Sequence, residues 1–255
     1  MNTFVNESSN SLEFWNSVAG SSAYAQGILS ALPRAEMAVL RPKLEFHPLK
    51  AHQVLHEAGE VIKHAYFIEN GLVSILNVQG EEKCVEVGMI GSGGLAGLPV
   101  IDGFVTSPHR IVSHSAGSAH RIEATDLREI MARCPELTLT LHRYQQQLMV
   151  QTMHLAACNA LHEVEQRLAR WLLMGHQLLG TDLPVTQELL GQLLGTRRSS
   201  VTVAAGLLQK AGALSCSRGK ITIQDIAKLK SSACECYPLL RQRLETWSLQ
   251  PQAAA

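Results

Sequence analysis

The chain is poor in aromatic residues (5%) and in charge (17%), and it has no excess of either sign: 22 Lys+Arg stand against 22 Asp+Glu over 255 residues. A zero formal charge excludes a protein that is basic throughout, so any contact with a polyanion must be local. No apolar run approaches the ~20 residues that span a bilayer. The first 22 residues, rich in Ser and Asn, lack the basic start and apolar core of a secretory signal. A cytoplasmic protein without membrane contact is the expectation. The six cysteines, at 84, 134, 158, 216, 234 and 236, form no repeating framework, which points to reduced thiols rather than a disulfide scaffold. Also missing is any Ser, Cys or His constellation that reads as catalytic apparatus, so neither an enzyme nor a cofactor is expected.

What is present is enough apolar material for a core, 46% of the residues, and an uneven distribution of charge. Residues 1–159 carry 11 Lys+Arg against 15 Asp+Glu (net −4), whereas residues 160–255 carry 11 against 7 (net +4). The asymmetry is mild, and it has the sign expected if only the C-terminal part meets a polyanion.

Patterning divides the chain further. Residues 1–22 read as disordered. Residues 24–44 read as helical, with Ile28, Leu29, Leu32, Met37 and Leu40 apolar and Pro33 interrupting. From Glu45 to about Arg121, short segments such as Leu72-Val-Ser-Ile-Leu76 and Cys84-Val-Glu-Val87 are separated by Gly-containing turns, at the spacing of an antiparallel sandwich or barrel. From Asp126 to about Leu179 helical patterning returns. Within it, Leu137, Leu141, Tyr144, Leu148, Gln151, Leu155 and Cys158 recur at alternating steps of four and three, a heptad seam. This seam is assigned to a homodimer interface. The opposite face, with Met149, Met153, Ala156 and Ala157, is assigned to the chain's own β domain; a fully intramolecular helix is the alternative.

The densest positive charge falls in GQLLGTRRSSVTVAAG (191–206). If Gln187 opens a helix-turn-helix, Leu190, Leu194, Val201 and Ala204 take the positions where the two helices bury apolar side chains against each other. Gly191 then falls at the closest approach, and Gly195 falls at the turn, where positive φ is cheap without a Cβ. Thr186 is a suitable N-cap and Glu188 complements the helix dipole. The second helix, about Arg197 to Ala211, presents Arg197, Arg198, Ser199, Thr202 and Val203 outward. Arg near such an N-terminus can donate to guanine or to phosphate, and Ser199, Ser200 and Thr202 add hydroxyls. The bland alternative is a helical hairpin in some enzyme with solvated arginines. Residues 212–223 read as a β-hairpin with a basic turn, a wing whose Arg218 and Lys220 would touch phosphate.

These features resemble the Crp/Fnr family of bacterial transcription regulators. The likeness runs from about Leu29 to Tyr237 and is most specific in HEVEQRLARWLL (162–173), TQELLGQLLGTRRSSVT (186–202) and RGKITIQD (218–225). It implies an α+β chain: a cyclic-nucleotide-binding-like β jelly roll (23–134), a dimerisation helix (135–159) and a winged helix-turn-helix (160–238), followed by a C-terminal tail (239–255). It also implies a sequence-specific regulator that binds double-stranded DNA as a homodimer on an inverted repeat, with RNA polymerase and a small-molecule effector as further partners. Arg198 takes the usual arginine position of the recognition helix, which in the best-known members contacts a guanine. Ser199 and Val203 replace a Glu and a second base-reading Arg of the cyclic-AMP-responsive members, so the operator should differ from theirs.

The candidate effector pocket is Gly93, Gly94, Leu95, His109 and Arg110. Here Gly93 or Gly94 stands in place of a ribose-binding glutamate, leaving Arg110 as the anion partner, so cyclic AMP is not the expected effector. No cysteine precedes Cys84, which argues against the N-terminal iron-sulfur cluster that other members use. The alternative function is a small-molecule-binding module that docks on a protein partner without DNA.

Other candidates are weaker. Gly91-Ser-Gly93-Gly94-Leu-Ala96 matches a loose dinucleotide fingerprint, but Pro99 would sit inside the required helix. Cys234 and Cys236, with only Cys216 near in sequence, lack the full ligand set of a zinc site, so free thiols and no metal are expected. His47, His52 and His56 are read as surface histidines.

Overall fold

The computed structural model describes residues 27–80 and 83–248, with side chains to 242. The reading of residues 1–22 as disordered therefore lies outside the described residues. The described residues open with a short helical segment: a 3-10 turn at Leu29–Ala31, helix α1 at Arg34–Leu40 and a second 3-10 turn at Arg41–Lys43, broken at Pro33 as the sequence suggests. Eight strands follow: β1 (Glu45–Leu49), β2 (Gln53–His56), β3 (His64–Asn70), β4 (Val73–Gln79), β5 (Lys83–Ile90), β6 (Leu95–Ala96), β7 (Arg110–Ser113) and β8 (Gly117–Glu123). They form two four-stranded antiparallel sheets, ordered β1-β8-β3-β6 and β2-β7-β4-β5, the strand order of a jelly roll. Alternate residues of facing strands, among them Leu49, Ile68, Val73, Ile90 and Ile111, fill the space between the sheets.

The outer face of the first sheet is covered by helices. Phe67, Leu95 and Ile122 pack against Leu40 of α1, Leu127 of α2 (Ala124–Met131) and the first half of α3 (Pro135–Leu161). Pro135 occupies the first turn of α3, where a missing N–H costs nothing. Two of the free N–H groups there, on Glu136 and Leu137, donate to the Glu36 carboxylate at 3.1 and 2.8 Å, so α1 caps α3 across a hundred residues of sequence.

The structure reverses the expected faces of α3. Leu137, Leu141, Tyr144, Leu148, Gln151, Leu155 and Cys158 are all buried within the chain's own fold, while Met149, Met153, Ala156 and Ala157 are exposed. The heptad seam is complementary to the β domain: Gln151 Oε1 accepts from Met89 N on β5 at 2.7 Å, and Gly94 leaves room for the Tyr144 ring. A leucine side chain buried in this way contributes on the order of 1.5–3 kcal/mol, whichever surface covers it.

Helix α4 (Val164–Leu179) begins with a capping box between Glu163 and Gln166 and leads into the C-terminal domain. There α5 (Gln187–Leu193), α6 (Arg198–Lys210) and α7 (Ile226–Ser232) enclose Leu168, Trp171 and Leu172 of α4. A three-stranded sheet, β10-β11-β9, is formed by the hairpin β10 (Leu214–Ser217) and β11 (Lys220–Ile223) with the short β9 (Asp182–Leu183) on its outer edge. Helix α8 (Cys236–Ser248) takes in the first part of the segment read as a tail, with Leu240 buried in the domain core, and residues 249–255 of that segment lie outside the described residues. Among the described residues no helix is long and apolar enough to cross a membrane.

Candidate nucleic-acid interface

Helices α5 and α6 form the helix-turn-helix. Thr186 Oγ1 accepts from Leu189 N at 3.0 Å and caps α5. The chain turns at Gly195, whose φ of +59° suits a residue without Cβ. At Gly191 a Cβ would lie 3.2 Å from Thr196 O and 3.3 Å from Arg198 N, so any larger residue would push the turn open by a few tenths of an ångström. Leu190, Leu194, Val201 and Ala204 are all buried between the helices. From α4, the Arg167 guanidinium donates from Nη2 to the carbonyl of Leu194, satisfying the end of α5.

This packing leaves one face of α6 uncovered. Arg197 is the N-cap and Arg198 the first helical residue, one later than the sequence suggests. Arg197, Arg198, Ser199, Thr202 and Val203 are exposed and Ser200 is half-buried. Val203 is 66% exposed although its side chain is wholly apolar. Arg198 Nη1 lies 3.5 Å from Glu188 Oε2, but both side chains are well exposed, so the pair is weak and the guanidinium is free to exchange partners. The Thr202 hydroxyl faces Gln187 Oε1 at 2.7 Å, so its proton is engaged within the motif. On the wing, Gly219 (φ +76°) makes the turn between exposed Arg218 and Lys220. Lys220 Nζ sits 3.0 Å from Asp182 Oδ1. Thr222 and Lys220 together hold that carboxyl below its ordinary range.

The N-terminal end of α6 also borders a cleft of about 430 Å³. One wall is Arg197, Arg198, Glu188 and Gln192; the other is Asn77, Lys83 and Val85 of the β4–β5 hairpin. The two domains touch beside it, where the Trp171 indole donates to Glu86 Oε1 at 2.9 Å and the Ser74 hydroxyl donates to Glu86 Oε2. Burial pushes the Glu86 carboxyl up to about 7 against the opposing pull of Ser74, Arg170 and Trp171.

Comparison with known proteins agrees with this architecture. Residues 46–134 match the model of the cyclic nucleotide-binding domain and residues 166–232 that of the Crp-like helix-turn-helix domain. The chain belongs to the Crp/Fnr family of transcription regulators. Among solved structures, one from Eubacterium rectale assigned to that family aligns with a TM-score of 0.65 at 20% identity, covering 78% of this chain and 94% of its own. The c-di-GMP-responsive regulator CLP of Xanthomonas campestris aligns with a TM-score of 0.63 at 17% identity, covering 75% and 99%. FixK2 of Bradyrhizobium japonicum aligns with a TM-score of 0.64 at 12% identity, covering 75% and 98%. Identities this low carry the fold alone. Among curated sequences none matches significantly.

In this Crp/Fnr protein the expected effector residues are used differently. Ile28 N donates to Gly93 O at 2.9 Å, and a Cβ on Gly93 would strike the Gly27 backbone, so Gly93 serves the docking of the N-terminal segment. Gly94 serves the packing of Tyr144, and Leu95 is core. Arg110 already has a carboxylate partner: its Nε donates to both Glu57 oxygens, at 2.7 and 3.0 Å. That guanidinium holds the Glu57 carboxyl below its ordinary range. Gly93–Leu95 belong to the first sheet and its approach, whereas Arg110 opens β7 in the second, with half-buried His109 just before it. His56, read as a surface residue, is buried against Tyr66 and bonds His64 O at 2.8 Å, while His47 is half-buried and His52 exposed.

The cysteine reading also changes. Cys234 and Cys236 lie beside Cys158 and His162 rather than Cys216, a grouping of residues 76 positions apart that no sequence spacing announces.

Proposed function

We propose that this Crp/Fnr protein is a homodimeric, sequence-specific DNA-binding regulator that reads an inverted repeat with α6. The observation that supports the reading is the uncovered N-terminal face of α6, where the side chains of Arg197, Arg198 and Ser199 are exposed and Arg198 is held only by its exposed pair with Glu188. A helix end that concentrates unsatisfied N–H groups and two guanidiniums suits phosphate and base edges in a major groove. Arg198 is the base reader; Arg197, Arg218 and Lys220 contact the backbone.

The dimer forms through the face of α3 that the β domain leaves open. His142, Gln146, Met149, Met153, Ala156 and Ala160 are exposed and follow one another at steps of four and three, which is a second, shallower heptad seam. Small and flexible residues at its C-terminal end permit close approach of two helices. A two-fold axis along this seam sets half-site centres about one helical turn, roughly 34 Å, apart. The protein acts in the cytoplasm and catalyses no reaction.

Cyclic AMP is not the effector. A Glu57 carboxylate competes for the Arg110 guanidinium through its Nε, and no carboxylate stands at Gly93 or Gly94 for the ribose. The test is selection from random duplexes by the full chain, with sedimentation of the complex. An enriched inverted repeat bound by two chains is expected. Enrichment without a dyad, or none at all, overturns the reading. Calorimetry showing micromolar binding of cyclic AMP overturns the effector statement.

A further inference from the structure

We infer that Cys158, His162, Cys234 and Cys236 form a site for a single thiophilic divalent cation of the zinc class, which staples the end of the long helix α3 to the DNA-binding domain. One ligand atom from each residue lies within 4.8 Å of all the others. Around a tetrahedral ion with Zn–S near 2.3 Å and Zn–N near 2.0 Å, neighbouring ligand atoms must sit about 3.5–3.8 Å apart. Cys158 Sγ and Cys234 Sγ are 3.5 Å apart, and Cys236 Sγ and His162 Nδ1 are 3.6 Å apart. An iron-sulfur cluster needs several metal atoms between its thiolates, and this spacing leaves room for one.

The elements explain the convergence. Cys158 lies in the last turn of α3 and His162 is its C-cap, whose backbone N–H donates to the Cys158 carbonyl at 3.2 Å and so keeps the two residues close. Cys234 closes the link from α7, Glu235 lies in the turn and Cys236 is the first residue of α8; the turn, in which Tyr237 N donates to Cys234 O at 3.2 Å, keeps both cysteines buried while Glu235 is exposed. Glu235 then completes the arrangement. Its Oε1 is 3.1 Å from His162 Nε2, which leaves Nδ1 facing the sulfurs, the carboxylate–histidine pairing that orients metal-binding imidazoles. The three cysteines are buried together, a sulfur-lined core with no other apolar side chain in its cluster among the described residues. Buried Arg170 and Arg167 of α4 act electrostatically on these thiols, and their charge offsets the net negative charge that three thiolates leave around a divalent ion.

The position gives the ion a task. His162 is the extended residue between α3 and α4, the joint about which the C-terminal domain would move relative to the β domain. The site is whole only when the end of α3 and the C-terminal domain are docked as they are, because it takes Cys158 from α3, His162 from the joint and Cys234 and Cys236 from the far side of it. An ion would hold this arrangement.

The experiment is titration of the reduced, metal-free full chain with cobalt(II), followed by displacement with zinc(II). One cobalt per chain is expected, with the intense ligand-field and thiolate charge-transfer absorption of a tetrahedral site, abolished by one equivalent of zinc. Zinc should also slow proteolysis at residues 161–163 severalfold. Glu235→Gln should weaken the metal 10–100-fold without changing the spectrum, as loss of an outer hydrogen bond does. His162→Ala should weaken it further, and Cys216→Ser should leave it unchanged. Weak octahedral absorption, no binding, a Cys158–Cys234 disulfide that persists under reducing conditions, or uptake of iron with sulfide in place of one ion overturns the inference. Because none of these readouts uses DNA, failure here and failure of the regulator reading are distinguishable.

Discussion

Helices α3 and α6 are both amphipathic, yet they constrain their surroundings very differently. Helix α6 has one apolar stripe, Val201, Ala204, Ala205 and Leu208, and everything else on it is polar, small or exposed. A helix with a single stripe can be buried in only one orientation, so the outward direction of Arg198 follows from the position of Val201. Helix α3 carries two stripes. Either could face the β domain on hydrophobic grounds, and the choice falls to terms that are specific rather than additive: the Gln151 amide that satisfies Met89 N, the Tyr144 ring in the space beside Gly94, and the Glu36 cap. Apolar periodicity thus fixes that a face is covered, whereas shape and polar satisfaction fix what covers it.

Substitutions on α3 break this comparison most directly. Leu141→Ala removes a fully buried side chain and should cost about 2–5 kcal/mol of stability, read from denaturant unfolding. Met149→Glu with Met153→Glu, on the exposed stripe, should leave the melting temperature of the monomer nearly unchanged and abolish the dimer in sedimentation. A dimer that survives this pair but is lost with Leu141→Ala would return the interface to the first seam.

The contact between the two domains gives the next effect. Glu86 in the folded chain binds its proton up to about pH 7, well above its unfolded value, so the folded state holds more protons than the unfolded between about pH 4.5 and 7. Stability from this group is therefore full below that window and declines as pH rises through it. Glu86→Gln removes the titration while keeping an acceptor for the Trp171 indole. The variant should gain on wild type as pH rises from 5 to 7.5, by on the order of 3 kcal/mol at most. His114, buried and lowered to about 4, has the opposite slope, with stability rising between about pH 4 and 6.5; the difference between variant and wild type cancels it. Parallel curves for the two proteins would show that Glu86 is charged throughout.

Smaller effects separate the two arginines of α6. Arg198→Ala should cost about 1–3 kcal/mol on the preferred site and relax one base position in each half-site, seen by selection from random duplexes. Arg197→Ala should weaken all sequences alike, and its salt dependence should become shallower by about 0.9 in log-log slope for each phosphate that is no longer neutralised. If Arg198→Ala keeps the wild-type base preference at every position, Ser199 or Thr202 is the reader.

Much of this architecture was legible in the residues. Turn glycines at 71, 80 and 103 punctuate the strands, and each has positive φ. Gly191, Gly195 and the four apolar positions around them define the helix-turn-helix because each answers a local steric demand. Other features were not legible. Strand β9 is two residues long and exists only because β11 offers Asp182 and Leu183 an edge. Arg110 read as a free cation because nothing near it in sequence shows that Glu57, 53 residues earlier, lies within hydrogen-bond distance. His56 read as exposed because a short edge strand does not reveal that its side chain turns toward Tyr66.

By itself the sequence determined the local elements, their order and the chemistry displayed on α6, since helix caps, turn glycines and apolar periodicity act over a few residues and depend little on the rest of the chain. Tertiary structure alone decided which face of α3 is covered, that Glu57 neutralises Arg110, and that Cys158 and His162 meet Cys234 and Cys236. These outcomes require segments far apart in the chain to be brought to within a few ångströms. That distance is set by the packing of whole domains, and no local pattern records it.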